Sequence, residues 1–196
     1  MVKKDILLNG VLVGQHEATG DPHKDAEAVR AYLKEKGLGR EITRTDAIHG
    51  QANSFASVAN YLYDKDLKKS PLKGSSVSPF VVNAVLSIEL YLKAIHSAHG
   101  NEIKGHHLTN LYQQLTDKAK TIIEASAKDI KPSYKLEPGA DIHSCLLSLS
   151  KAFEQWRYVY EFDRIGTEIQ GIRYTMHVSH EACCRVRKIA ENNRRK

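Results

Sequence analysis

The sequence predicts a mainly α-helical protein, an up-and-down helical bundle preceded by a small β-hairpin and helix. Three observations predict it. From Pro79 onward, apolar residues recur at steps of three and four over several long stretches, the spacing of a single buried helix face. Near the start, Ile6-Leu7-Leu8 and Val11-Leu12-Val13 flank Asn9-Gly10, a pair that tolerates positive φ at both central positions of a type I′ turn and so favours a hairpin. Between them, Asp64 to Pro79 turns polar and rich in Ser, Pro and Lys, the composition of a boundary. The expected division is a lead-in over 1–66, a linker over 67–78 and the bundle over 79–196.

Each element has its own signal. Asp25 to Lys36 carries Val29, Tyr32 and Leu33 at helical spacing, with Lys34 and Lys36 in the last turn and Gly37 placed as a left-handed cap. Phe55, Val58, Ala59 and Leu62 repeat the same period. Ser78-Pro79 supplies an N-cap and first helical residue for a helix with Val81, Val85, Ile88, Leu92 and Ile95 on its apolar face, up to Gly100. A second stripe runs from Leu108 to Ile123, and a third from Ile142 to Trp156 after the Pro132 and Pro138-Gly139 loop. After Gly166, Thr167 to Tyr174 mixes β-branched residues with glycine, and helical spacing resumes from Ala182 to Ala190. Four amphipathic helices with short connections imply the bundle.

Composition bounds the function. The 196 residues are 41% hydrophobic, enough for a buried core. A net charge of +6, with ten histidines beside it, favours an anionic partner. Asn and Ser interrupt the charge-free stretches well short of the roughly 20 apolar residues of a membrane span, so no helix is expected to cross a bilayer. The basic opening Met1-Val2-Lys3-Lys4 is followed by Asp5 and the Asn9-Gly10 turn, which reads as mature protein rather than a secretory signal. Three cysteines without a Cys-x-x-Cys spacing argue against a disulfide framework or zinc knuckle and for a cytoplasmic setting. Internal repeats, a Gly-rich phosphate loop, Gly-x-Ser-x-Gly and His-Glu-x-x-His are absent from the sequence.

Several residues are candidates for chemistry. His96, His99, His106 and His107 are the densest histidine cluster, with Glu102 nearby, but ligands must converge, and the plainer reading is one helix ending and another beginning. No metal and no other cofactor is expected. Glu89, with Lys93 four positions later, reads as a boundary salt bridge rather than a catalytic acid. Arg173, His177 and His180 share one stripe if their segment is helical. An imidazole can take a proton from a ribose 2′-hydroxyl while a guanidinium neutralises charge building on the phosphate, which suffices for RNA cleavage without metal. On spacing alone the plainer reading is an arginine in a surface salt bridge at a loop end, with histidines flanking a packed face. The last twelve residues carry a net +5, with Arg185, Arg187 and Lys188 leading. Such an end can hold a phosphate backbone or simply complement a helix dipole.

The bundle segments Glu89-Leu90-Tyr91-Leu92-Lys93-Ala94, Gly105-His106-His107-Leu108 and Phe153 to Glu161, which contains Trp156-Arg157-Tyr158, resemble the HEPN family (higher eukaryotes and prokaryotes nucleotide-binding). The resemblance covers about residues 78 to 192. It implies a helical bundle that commonly dimerises and is often found in toxin–antitoxin, abortive-infection and other defence systems. Many members are metal-independent ribonucleases whose signature is an Arg, four to six residues and a His near the start of the last bundle helix. Arg173 and His180, with six residues between them, fit that spacing, whereas His177 does not. Tyr174 stands where active members usually carry a small polar residue.

The resulting expectation is an RNA-directed cytoplasmic protein of toxin–antitoxin or phage-defence type, without cofactor and without membrane association, acting as a homodimer. In its catalytic form Arg173 stabilises phosphate charge, His180 transfers the proton, and Arg185, Arg187 and Lys188 attract the strand. The alternative is a non-catalytic module that binds a nucleotide, a nucleic acid, or an antitoxin or other partner protein. A third reading makes the bundle a scaffold for the N-terminal hairpin, whose strand edge pairs with another chain.

Overall fold

The structure is a computed structural model that describes residues 2–8, 10–39, 42–150, 152–161 and 166–194, without the side chains of Phe153, Glu154, Val159 and Arg194. It is mainly helical, with one two-stranded antiparallel sheet at the N-terminus. The chain divides into two compact units, Met1–Ile42 and Thr43–Lys196.

In the first unit, β1 (Val2–Leu8) pairs with β2 (Val11–Ala18), and the register slips at a bulge between Ile6 and Leu7. Gly10 has the positive φ the hairpin turn needs, while Asn9 lies outside the described residues. Helix α1 (Pro22–Glu35) starts one turn before the apolar pattern, because Asp21 caps it by accepting from the backbone N–H of His23 and Lys24. It ends as expected, with Gly37 at φ +66° and Leu38 N–H donating to Leu33 O at 2.8 Å. Gly14 lets α1 approach the hairpin: a Cβ there would lie 2.3 Å from the Tyr32 hydroxyl, which donates to Val13 O.

The second unit holds seven helices among its described residues: α2 (Arg44–Leu62), α3 (Val77–Ala98), α4 (Leu108–Gln113), α5 (Asp117–Ile130), α6 (Ile142–Leu149), α7 (Ala152–Arg157) and α8 (Ile169–Arg194). The division between units therefore falls at Ile42/Thr43, upstream of the expected 67–78 linker. The reason is that α2 belongs to the bundle core. Thr43 and Asp46 form a capping box at its start, and Ala52, Ala56 and Ala59 are buried, small side chains that let α2 and α3 lie close. Val58 is 46% exposed, so the buried face of α2 is rotated away from the expected one.

Helix α3 is the hub, packing against α2, α4, α7 and α8. With the turn before it, it is a 25-residue segment long and apolar enough by composition to cross a membrane, contrary to expectation, and 56% of the apolar window is buried within the fold. Ser78 does not cap it; its hydroxyl donates to Trp156 O at 2.6 Å. Two expected helices are each split in two. Thr116 accepts from Ala119 N–H and starts α5 inside the second apolar stripe. In the third stripe, Ser150 turns its hydroxyl back to Leu146 O and also accepts from Thr109 N–H, which fixes the chain at the end of α6. Tyr63–Leu67 continues α2 as a π-helical turn.

Candidate functional site

The site is built on α8, which begins earlier than the glycine-containing sequence suggested. Glu168 caps it by accepting from Gly171 N–H at 2.5 Å, and a Cβ at Gly171 would come within 2.4 Å of that carboxylate. Burial of Ile172, Tyr174, Thr175 and Met176 ties this first turn to the core. Arg173 therefore stands inside a helix. Beside the buried face, Arg173, His177, His180, Cys184 and Arg187 follow at alternating steps of four and three, which puts all five on one stripe. Helix α2 answers with a polar stripe of Asp46, His49, Asn53, Ser57 and Asn60.

An open groove of about 600 Å³ runs between these stripes, lined by Asn53, Asn60, Tyr91, His177, His180 and Glu181 among others. Tyr91 of α3 forms part of its wall, with its hydroxyl donating to Asn53 Oδ1 at 2.7 Å. His180 is exposed and packs its ring 6.0 Å from His49 and 5.3 Å from Tyr91, centroid to centroid.

At one end of the groove, the Arg173 guanidinium lies 3.7 Å over the Tyr63 ring and 5.6 Å from that of Tyr134, a cation–π arrangement. Its Nε is buried without a hydrogen-bond partner. The Tyr134 hydroxyl meets His177 Nδ1. Burial, aided by the nearby charges of Arg173 and His180, lowers the His177 pKa and keeps that imidazole neutral.

At the other end, Arg187 is held by the Asp46 carboxylate and donates to His49 Nδ1 at 2.9 Å. Burial first, then Arg187 and His180, push His49 down to about 4. Cys184 Sγ lies 3.7 Å from His49 Nε2 and 3.6 Å from His180 Nε2, and burial pushes its thiol up.

The residues singled out in the sequence are thus distributed. Arg173 and His180 share the stripe and the same face. Arg187 turns inward to Asp46 and His49. Arg185 is paired with Glu181 at 2.8 Å and Asp129 at 2.9 Å, and Lys188 is exposed. The Arg195-Lys196 end lies outside the described residues. The dense histidine cluster does not converge: His96 is buried against Leu111 O, His99 bonds Ile95 O, and His106 reaches Glu89 at 3.0 Å. Glu89 is buried and also takes Lys93 at 2.7 Å, the expected salt bridge. His49, Asn53 and Cys184 were not singled out. The signal for Cys184 was present, since the stripe from Arg173 continues to it by the same step; nothing in the sequence paired α2 with α8. No protein-family model, curated protein or solved structure matches this chain.

Proposed function

We propose that the chain is an RNA-directed protein of the HEPN type, working as a homodimer and cleaving RNA without a metal. The observation that carries this reading is the orphaned, buried Nε–H of Arg173 on the same helical stripe as His177 and the exposed His180, beside an open groove. A guanidinium with an unused donor suits a phosphate oxygen once it leaves its place over the Tyr63 ring, where the Nε–H is covered. An exposed imidazole two turns along suits proton transfer. The contact of Glu89 with both Lys93 and His106 joins two of the segments on which the family resemblance rests.

In the proposed reaction His180 takes the proton of a ribose 2′-hydroxyl, and the 2′-oxygen bonds to the adjacent phosphorus. Arg173 neutralises the charge that grows on the phosphate oxygens. The bond to the 5′-oxygen breaks, and an imidazolium, on this chain or on a second copy, returns a proton to it. The products are a 2′,3′-cyclic phosphate and a 5′-hydroxyl. The 2′-hydroxyl requirement leaves DNA uncut. A cytoplasmic toxin–antitoxin or defence setting is part of the same proposal and rests on the resemblance alone.

The stacking of Arg173 on Tyr63 favours a second reading, a non-catalytic module that holds a nucleotide or RNA in this groove. One experiment separates the two. Purified protein is incubated with a mixed RNA pool in EDTA beside the Arg173→Ala/His180→Ala double variant, with the dimer confirmed in each sample. Fragments ending in 2′,3′-cyclic phosphate from wild type, formed at least about 100-fold more slowly by the variant, are expected. Intact RNA in the wild-type sample overturns the catalytic reading in favour of the binding module.

A further inference from the structure

His49, His180 and Cys184 form a cluster that RNA cleavage uses only through His180. One ligand atom from each lies within 4.8 Å of the other two, and among the described residues this is the group of His, Cys and acidic side chains that converges so closely. The sulfur stands 3.7 and 3.6 Å from the two Nε2 atoms. A tetrahedral zinc ion, about 2.3 Å from sulfur and about 2.0 Å from nitrogen, holds such atoms about 3.6 Å apart. As hydrogen bonds the same contacts are worth little, because a thiol is a weak donor and a weak acceptor.

The scaffold suits an ion as well. His180 and Cys184 are one turn apart on α8, and His49 faces them from α2, so two helices that both pack on α3 fix all three positions. His180 is exposed and Cys184 half-buried, which leaves a route in and room for a water as fourth ligand.

We propose that His49, His180 and Cys184 bind a zinc ion, with sulfur and two imidazole nitrogens as ligands and one coordination position open. Binding displaces the Cys184 proton to solvent, and both imidazoles coordinate as neutral groups, so one proton is released per ion. Coordination through Nε2 puts the remaining imidazole proton of His49 on Nδ1. There it needs an acceptor in place of the Arg187 donor. Asn53, whose amide lies 3.5 Å away, provides one by turning its oxygen toward the ring, with the Tyr91 hydroxyl then accepting from the amide N–H instead of donating to the oxygen, while Arg187 stays on Asp46.

A consequence follows that rests on the ribonuclease reading: an ion on His180 occupies the lone pair that takes the 2′-hydroxyl proton. Zinc then switches the enzyme off, and chelation switches it on.

The test titrates zinc into reduced, metal-free protein against a chromophoric chelator and follows thermal unfolding in parallel. Wild type is expected to bind one ion per chain and to unfold at higher temperature with it. Cys184→Ala and His180→Ala, neither of which opens the core, each weaken binding by roughly 100-fold or more, and His106→Ala leaves it unchanged. Cobalt-loaded wild type shows a thiolate-to-cobalt charge-transfer band that Cys184→Ala lacks. Zinc affinity equal in wild type and Cys184→Ala overturns the site. RNA cleavage is then measured in chelator and in zinc: inhibition of wild type but not of Cys184→Ala supports the switch, and equal inhibition overturns it. Zinc binding without cleavage in chelator removes the ribonuclease reading and leaves the metal site standing.

Discussion

Two groups of histidines in this molecule have opposite histories. His96, His99, His106 and His107 crowd into twelve residues of sequence, yet the first three point to separate partners: a buried carbonyl, a helix end, a buried carboxylate. His49 and His180 are far apart in the chain yet stack in space and share a thiol between them. Density along the chain therefore says little about convergence, because a helix end and the next helix start diverge around the loop that joins them. What brings ligands together here is the close packing of α2, through its alanines, against the core that α8 also lines.

The sharpest way to break that contrast is to disturb the packing. Ala52 is fully buried, one turn from His49, and Ala52→Leu overfills the interface. A loss of about 1–3 kcal/mol in chemical denaturation is expected, together with at least tenfold weaker zinc binding as His49 moves; unchanged affinity would show that the ligand positions do not depend on helix packing. His96→Leu should have a comparable stability cost, about 1–3 kcal/mol, because it leaves Leu111 O buried without its partner. Its zinc titration should match wild type, and any weakening would merge the two histidine groups into one.

Smaller effects sharpen the picture within α8. His177 is faced by Tyr134, Arg173 and His180. Its pKa in the folded protein lies below the ordinary 6.5, so below that pH the unfolded chain takes up a proton that the folded chain resists. Stability therefore declines as pH falls below 6.5, and His177→Gln should flatten that part of a pH series of melting temperatures; identical slopes would remove the buried neutral imidazole from the account. Smallest is Arg187→Met. Without the donor on His49 Nδ1, zinc should bind a few-fold tighter, and weaker binding would mean that Arg187 supports the bound form instead.

Much of the fold was legible in the sequence. The apolar periodicity located α3 and the buried side of α5, and the Gly37 cap ended α1, since these signals are local. Helix breaks were harder to read. Thr116 starts a new helix and Ser150 ends one inside continuous apolar stripes, through hydrogen bonds to particular backbone groups, which periodicity does not register. Gly171 looked like a breaker, yet it is the residue that admits the Glu168 cap and lets α8 begin ahead of Arg173. On α2, the large side chains drew attention while the alanines did the packing. Half of the candidate site was legible for the same reason: the stripe on α8 follows from one helical period, but its partners on α2 depend on tertiary packing that no spacing within one segment encodes.

Convergence of His49, His180 and Cys184 is tested most directly by X-ray absorption at the zinc edge of the loaded wild-type protein. The expected spectrum holds one sulfur at about 2.3 Å and two imidazole nitrogens at about 2.0 Å, with a water oxygen completing the shell. A shell of nitrogen and oxygen alone, with no sulfur, would contradict it.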